Sequence, residues 1–393
     1  MKIIEIGTGY TTIPAKIGAA TEIVIENLIR GFNGNGIINE LIDVSFTEKS
    51  LSTYNAELNT IVHIQKIPRI LCTIKDNSTI HILRRIIYSI KAGLFLRKYL
   101  KQQKGKIVLH FHNQFNFFFI RLLTKHVLSK YNVKTLYTIH SPGWSDYEKI
   151  PKSLLFEKFA IQKADTIISL TDIIKQKIIQ LVNKIDENKI VIIPNGVSTK
   201  IYRPVETAIK KNQILNIGSI CERKNQLETI KVLKPFLINK NFKFIFAGKI
   251  IDRNYHERII QYIKNNGLDN HVRYLGELQP GEKLNELYNS CKFYISNSKQ
   301  EAFTSLVILE SMASGLPVLL SQSFDSLIDI SSNIRSAVKI VPNKEIEKIL
   351  MRFLISEMDY SNYRKSQINC ITSHYEWDKL TKNINNLINS NNQ

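Results

Sequence analysis

The sequence predicts an α/β protein of two domains, each a parallel sheet covered by helices. Three observations carry this. Short strand-like apolar runs alternate with helical patterns from end to end. Several of those runs end in glycine before a polar loop and a helix, as at Gly218 and Gly248. A segment bearing Pro and Gly, 194–204, breaks the alternation midway. At 393 residues the chain is also too long for one ordinary core.

In the first half the strand patterns fall at 3–6, 37–43, 60–64, 106–111, 133–139, 166–170 and 189–193, with helical patterns at 20–31, 81–101, 117–130, 153–163 and 172–182. In the second half the strands fall at 213–217, 242–247, 272–275, 292–295, 317–320 and 337–341. The helices there fall at 226–233, 255–265, 282–289, 306–313 and 345–355. The expected domains are therefore 1–197 and 205–372, with a final helix over 375–393.

Composition excludes several classes. With 44% hydrophobic and 22% charged residues the chain is globular, not disordered. Its apolar runs are shorter than the roughly 18 residues needed to span a bilayer. The first residues read as a strand with Glu5 inside it rather than as a leader. Four cysteines without CxxC spacing read as reduced thiols of a cytoplasmic protein. The net charge of +20 is concentrated: residues 61–135 hold 15 Lys or Arg against one acid, Asp76. Such an excess calls for an anionic partner. Nucleic acid is disfavoured, because the basic window carries no reading module. A dinucleotide-dependent oxidoreductase is disfavoured too, because Gly7-Thr8-Gly9 lacks the third glycine of that fingerprint.

Two segments carry the chemistry. Ile217-Gly218-Ser219-Ile220-Cys221-Glu222-Arg223-Lys224 is an apolar strand end, a glycine and two adjacent cations. It suits a diphosphate and equally describes a solvated basic turn. The second, Ser296 through Val318, is a polar loop ending in Thr304-Ser305 at a helix start, followed by an apolar helix and Gly315 as its stop. A helix amino end is a phosphate site. Glu301 in the loop and Glu310 in the helix can accept hydrogen bonds from sugar hydroxyls, and the apolar flank of Glu310 predicts a buried carboxylate in want of a partner.

These segments, with others in the same order, resemble glycosyltransferase family 4, whose members have the GT-B fold: two Rossmann-like domains facing across a cleft, with a C-terminal helix crossing back to the first domain. The similar pieces are Lys16–Glu22, His110-Phe111-His112-Asn113, Thr138-Ile139-His140, Ala164–Thr171, Pro194-Asn195-Gly196-Val197, Phe246-Ala247-Gly248, Tyr274-Leu275-Gly276, Glu301…Val318 and Tyr375-Glu376-Trp377. The resemblance implies a retaining hexosyltransferase using a UDP- or GDP-linked sugar as co-substrate, without cofactor; with no two Asp residues two apart and no His/Cys/Asp/Glu cluster of zinc spacing, no obligatory metal is expected. It implies that Lys224 binds the diphosphate, Glu310 the ribose and Glu301 the sugar hydroxyls. Gly18 would approach the β-phosphate, and His140 would lie beside the reacting sugar, catalytic with Lys224 and Glu301. Gly218, Arg223, Phe303, Thr304, Ser305 and Leu306 complete the donor site, and His112, Asn113 and Trp144 face the acceptor. Two departures stand out. Ser219 occupies the family's Arg position, with Arg223 as the substitute cation, and eight residues rather than seven separate Glu301 from Glu310.

His140, directly after a strand, is favoured over His110 and His112, which read as a packed core residue and a loop residue. The basic half is expected to meet an anionic membrane surface and a lipid-linked glycan acceptor, placing the protein peripherally at the inner face of the membrane. The alternative is a soluble enzyme acting on a carbohydrate polymer or small glycoside. In the basic window, Leu83, Ile86, Ile87, Ile90 and Leu94 form a helical stripe expected to face the core.

Overall fold

The computed structural model describes residues 1–15, 20–47, 49–68, 71, 78–140, 154–299, 305–321 and 332–390. The chain divides into two units, Met1–Pro194 with Trp377–Gln393, and Asn195–Glu376.

The first unit holds strands β1 (Lys2–Ile6), β2 (Asn39–Ser45), β3 (Leu51–Asn55), β4 (Thr60–Lys66), β5 (Ile107–Phe111), β6 (Val133–Ile139), β7 (Thr166–Ser169) and β8 (Ile190–Ile192). They form one sheet in the order β3-β4-β2-β1-β5-β6-β7-β8. Every pairing is parallel except β3 with β4. The helices are α1 (Ala20–Gly34), α2 (Ser78–Tyr99), α3 (Gln114–Lys130), α4 (Leu154–Lys163) and α5 (Asp172–Leu181). Strand β3 escapes the sequence patterns because its side chains are almost all exposed and so carry no apolar alternation. From β1 the chain winds outward through β2 and β4, then returns to β5 on the other side. The β1/β5 gap is therefore the switch point, where open α/β sheets place ligands at the carboxyl edge.

Helix α2 departs from expectation. Leu83, Ile90 and Leu94 are 42%, 38% and 49% exposed, while Arg84, Tyr88, Ala92 and Leu96 are buried. The contact with α3 runs along small residues: a Cβ on Gly93 would come within 2.8 Å of Leu123 Cδ1, and Ser89 donates to Asn116 Oδ1 at 2.9 Å. Helices approach where side chains are smallest, and here that face outweighs the bulkier stripe. Arg84 is tolerated inside because its guanidinium donates to the Leu71 carbonyl, through Nε at 2.7 Å.

The second unit has strands β9 (Gln213–Ile217), β10 (Lys243–Ala247), β11 (Val272–Tyr274), β12 (Phe293–Ser296), β13 (Val318–Ser321) and β14 (Lys339–Val341), all parallel, in the order β11-β10-β9-β12-β13-β14. Its helices are α6 (Gln226–Asn239), α7 (Arg253–Asn265), α8 (Glu282–Ser290), α9 (Leu306–Ala313), α10 (Ser332–Ala337), α11 (Ile346–Ile355) and α12 (Glu357–His374). Helix α12 has no counterpart among the sequence patterns; it buries only Gln367, Cys370 and Ile371, too few apolar residues for a stripe. The switch point here lies between β9 and β12.

The unit boundary falls at Pro194, three residues before the expected Val197. Val197 donates its backbone N–H to Tyr375 O at 2.8 Å, and its side chain joins the core of the second unit. The final helix, α13 (Trp377–Ser390), belongs to the first unit. It lies against α1, where Asn35 Nδ2 donates to Asp378 O at 2.7 Å and to Thr381 Oγ1 at 2.9 Å. Gly31 permits the approach, since a Cβ there would lie 2.8 Å from Thr381 Cγ2.

Candidate active site

In the second unit, β9 ends at Gly218, whose N–H donates to Ala247 O at 2.9 Å. A 3-10 turn, Glu222–Lys224, follows, and Asn225 takes a left-handed conformation (φ 57°) to open α6. The Lys224 side chain folds back over the strand end, its Cε 3.2 Å from where a Cβ on Gly218 would be. A side chain at 218 would crowd that lysine stem and push it aside by a few tenths of an ångström. The loop is tied to the one after β12: Lys299 N–H donates to Arg223 O at 2.8 Å, and Ser298 Oγ donates to the same oxygen at 3.3 Å. Thus two strand-end loops at the switch point are held as one piece.

Ser305 stands at the N-cap of α9; its hydroxyl makes no capping bond, and its backbone carbonyl accepts from Ile308 N–H at 3.0 Å. Gly315, at φ +67°, ends the helix as expected, with Leu316 N–H donating to Ser311 O at 2.9 Å. One turn in, Glu310 is 5% exposed. Its carboxylate is not unpaired as expected: Tyr288 donates to Oε2 at 2.9 Å, and Tyr202 also hydrogen-bonds to it. Burial raises the Glu310 pKa to about 7 against the pull of these two hydroxyls. A carboxylate offers about four lone-pair sites, so acceptor capacity remains.

In the first unit, three strand ends meet at the switch point. Glu5 on β1 accepts from His110 Nδ1–H at 2.8 Å and from His112 Nε2–H at 2.6 Å. His110 Nε2 and Thr138 Oγ1 share a hydrogen bond of 2.8 Å. His112 Nδ1 and His140 Nε2 share one of 2.9 Å, their rings 27° apart. Burial works to raise the Glu5 pKa, but His110 and His112 together hold it at about 2. His112 is pushed down to about 4 by burial and by His110, with Glu5 opposing, and His140 is held well below its ordinary value by burial and both other histidines. Beside this cluster lies a second buried acid. Asp43 Oδ2 accepts from Ile13 N–H at 2.8 Å, and burial raises its pKa to about 7.

Two family models meet end to end along the chain: glycosyltransferase family 4 over residues 22–201 and glycosyl transferases group 1 over 198–370. The chain belongs to this glycosyltransferase family. No curated protein sequence matches it. Solved structures match over nearly its whole length. Sucrose-phosphate synthase from Thermosynechococcus elongatus gives a TM-score of 0.74 at 17% identity, covering 99% of this chain and 98% of that one. HepE of Anabaena in complex with UDP and glucose gives 0.71 at 13%, covering 99% and 100%. The pneumococcal O-GlcNAc transferase GtfA, in complex with UDP and GlcNAc, gives 0.67 at 10%, covering 99% and 99%. The fold of this glycosyltransferase is GT-B.

Of the expected site residues, Gly18, Trp144, Glu301, Phe303 and Thr304 lie outside the described residues. The structure brings Gly218, Arg223 and Lys224 together in one loop, places Ser305 and Leu306 at the α9 start, and Glu310 a turn beyond. His112 lies in the short connection between β5 and α3, as expected, and is there a buried member of the Glu5 cluster. Asn113, expected at the acceptor, caps α3, its side-chain oxygen accepting from Phe115 N–H at 2.9 Å and from Asn116 N–H at 3.3 Å. Sequence reasoning missed Glu5, Tyr202 and Tyr288. The signal for Glu5 was present, since an acid inside a strand buried on both faces requires donors.

Among the described residues, Glu5, His110 and His112 are the group whose ligand atoms converge, within 4.8 Å of one another. Two histidines and a carboxylate suit a divalent transition metal. Here, however, the facing nitrogens and oxygens are spent on each other and the far nitrogens on Thr138 and His140, a set complete through hydrogen bonds alone. Among the described residues, no helix is long and apolar enough to cross a membrane.

Proposed function

We propose that this glycosyltransferase is a retaining enzyme that moves a hexose-type sugar from UDP or GDP to a lipid-linked glycan acceptor, at an anionic membrane surface and without an obligatory metal. The observation that carries the donor assignment is Lys224 folded over Gly218 in a loop bonded to the segment after β12. The Lys224 ammonium and the amino end of α9 would share the diphosphate, Arg223 standing in for the cation absent at Ser219. Glu310 would accept from the ribose and Glu301 from the sugar; Gly18 would give backbone approach to the β-phosphate.

On this reading the chain stabilises the leaving diphosphate and positions the reactants. As the sugar–phosphate bond lengthens and positive charge grows at the anomeric carbon, the leaving phosphate oxygen takes the proton of the attacking hydroxyl on the same face. His140 is assigned to the reacting sugar.

The membrane reading is supported by the outward face of α2. Leu83, Ile90 and Leu94 are exposed there with Arg97, within the window that holds 15 cations and one acid. Each cation near an anionic surface contributes about 1 kcal/mol.

A thermal-shift screen across nucleoside diphosphates and their sugars tests the donor. Stabilisation by UDP or GDP supports the reading; none by any nucleotide overturns it.

A further inference from the structure

We propose that Glu5, His112 and His140 form a relay that sets the tautomer of His140, so that its Nδ1 is kept bare and serves as a hydrogen-bond acceptor for a hydroxyl of the transferred sugar. The hydroxyl assignment rests on the function proposed above; the tautomer assignment rests on the hydrogen bonds alone.

An ionised carboxylate has only acceptors, so the 2.6 Å contact between Glu5 Oε2 and His112 Nε2 places a proton on that nitrogen. A neutral imidazole carries one proton. His112 Nδ1 is then a lone pair, and the 2.9 Å contact to His140 Nε2 takes its proton from His140. His140 in turn is left with Nδ1 unprotonated, and no described residue is bonded to that nitrogen. The three residues come from three strand ends: Glu5 from β1, His112 from just after β5, His140 from just after β6. The order runs from a fully enclosed acid through a buried ring to a half-buried one, so the relay leads from the core to the carboxyl edge.

The low values held by Glu5, near 2, and His112, near 4, agree with the charges this assignment needs at neutral pH. His110 and Thr138 brace the other oxygen of Glu5, at 2.8 Å each step, and fix its plane. His140 is thus the contact residue; Glu5 and His112 position it. The arrangement matters because the opposite tautomer would present an N–H, so that the sugar hydroxyl would have to accept instead of donate.

Long-range 1H–15N correlation spectra of the uniformly labelled full-length protein at pH 7 read the tautomer, with His140 assigned by loss of its signals in His140→Asn. The expected result is a protonated Nε2 and a bare Nδ1. A protonated Nδ1, or protons on both nitrogens, overturns the proposal. In His112→Phe, the His140 signals should average between tautomers, and kcat should fall roughly tenfold, the scale of one lost hydrogen bond, with UDP or GDP stabilisation unchanged. An unaltered His140 tautomer in His112→Phe sinks the relay. If the tautomer is as expected but no sugar nucleotide binds, the relay stands and the enzymatic reading fails.

Discussion

The Tyr288 hydroxyl donates at 2.9 Å to the Glu310 carboxylate, and both side chains are buried. The pair joins helix α8 to helix α9 within the second unit and holds a carboxylate whose pKa burial has raised to about 7.

A raised carboxylate pKa means that the folded protein binds a proton that the unfolded chain releases above about 4.5. The contribution of Glu310 to stability is therefore full below that value and is lost as pH rises through about 7. Ligand binding has the opposite sign: a ribose hydroxyl donates best to the ionised form. UDP or GDP affinity should increase from pH 6 to pH 8, and Glu310→Gln should flatten the profile. Calorimetric titration at several pH values measures this; a flat wild-type profile removes Glu310 from the nucleotide.

Tyr288→Phe deletes one of the two donors on Glu310 and should lower stability by about 1 kcal/mol. It should also push the Glu310 pKa higher, moving the rise in nucleotide affinity to higher pH. Urea unfolding and the same titrations separate the two effects.

Lys224→Ala should cut kcat/KM by about a hundredfold, the scale of losing one charge-stabilising group at a leaving group. Because the lysine stem rests over Gly218 and is only partly buried, unfolding curves should change far less than activity does. Full activity in Lys224→Ala would dismiss the diphosphate site.

Gly248→Ala should destabilise the second unit by roughly 3 kcal/mol. Its φ is +142°, and an added Cβ would lie 2.0 Å from Gly218 O, backbone that cannot move aside cheaply. Denaturant midpoints of the purified variant check the figure.

Charge reversal at Arg97 and Lys98, with Leu94→Glu, should abolish salt-sensitive sedimentation with anionic liposomes, at an unchanged melting temperature, since all three are exposed. Wild-type protein that stays in the supernatant at low salt would favour acceptors in free solution.

The sheet plan was legible because strands buried on both faces must be continuous apolar runs, and glycine and proline mark where they stop. The Gly218–Lys224 loop and the α9 segment were legible for a similar reason: close backbone approach and helix ends each demand particular residue types at fixed local spacing. Strand β3 and helix α12 were hidden because neither buries a periodic apolar face.

What the sequence determined by itself is what depends on neighbours along the chain: the alternation of strand and helix, the Gly218 and Gly315 positions, the concentration of cations in residues 61–135. Tertiary structure alone decided which polar groups meet. Glu5 lies over a hundred positions from His110 and His112 and became their partner only because β1 and β5 pair in parallel, with Glu5 level with His110. Tyr202 and Tyr288 reach Glu310 from separate segments, and α2 turned its small residues, not its large ones, toward α3. Burial makes such partnerships obligatory, because a polar group removed from water must find another, but only the packing of distant elements determines which one it finds.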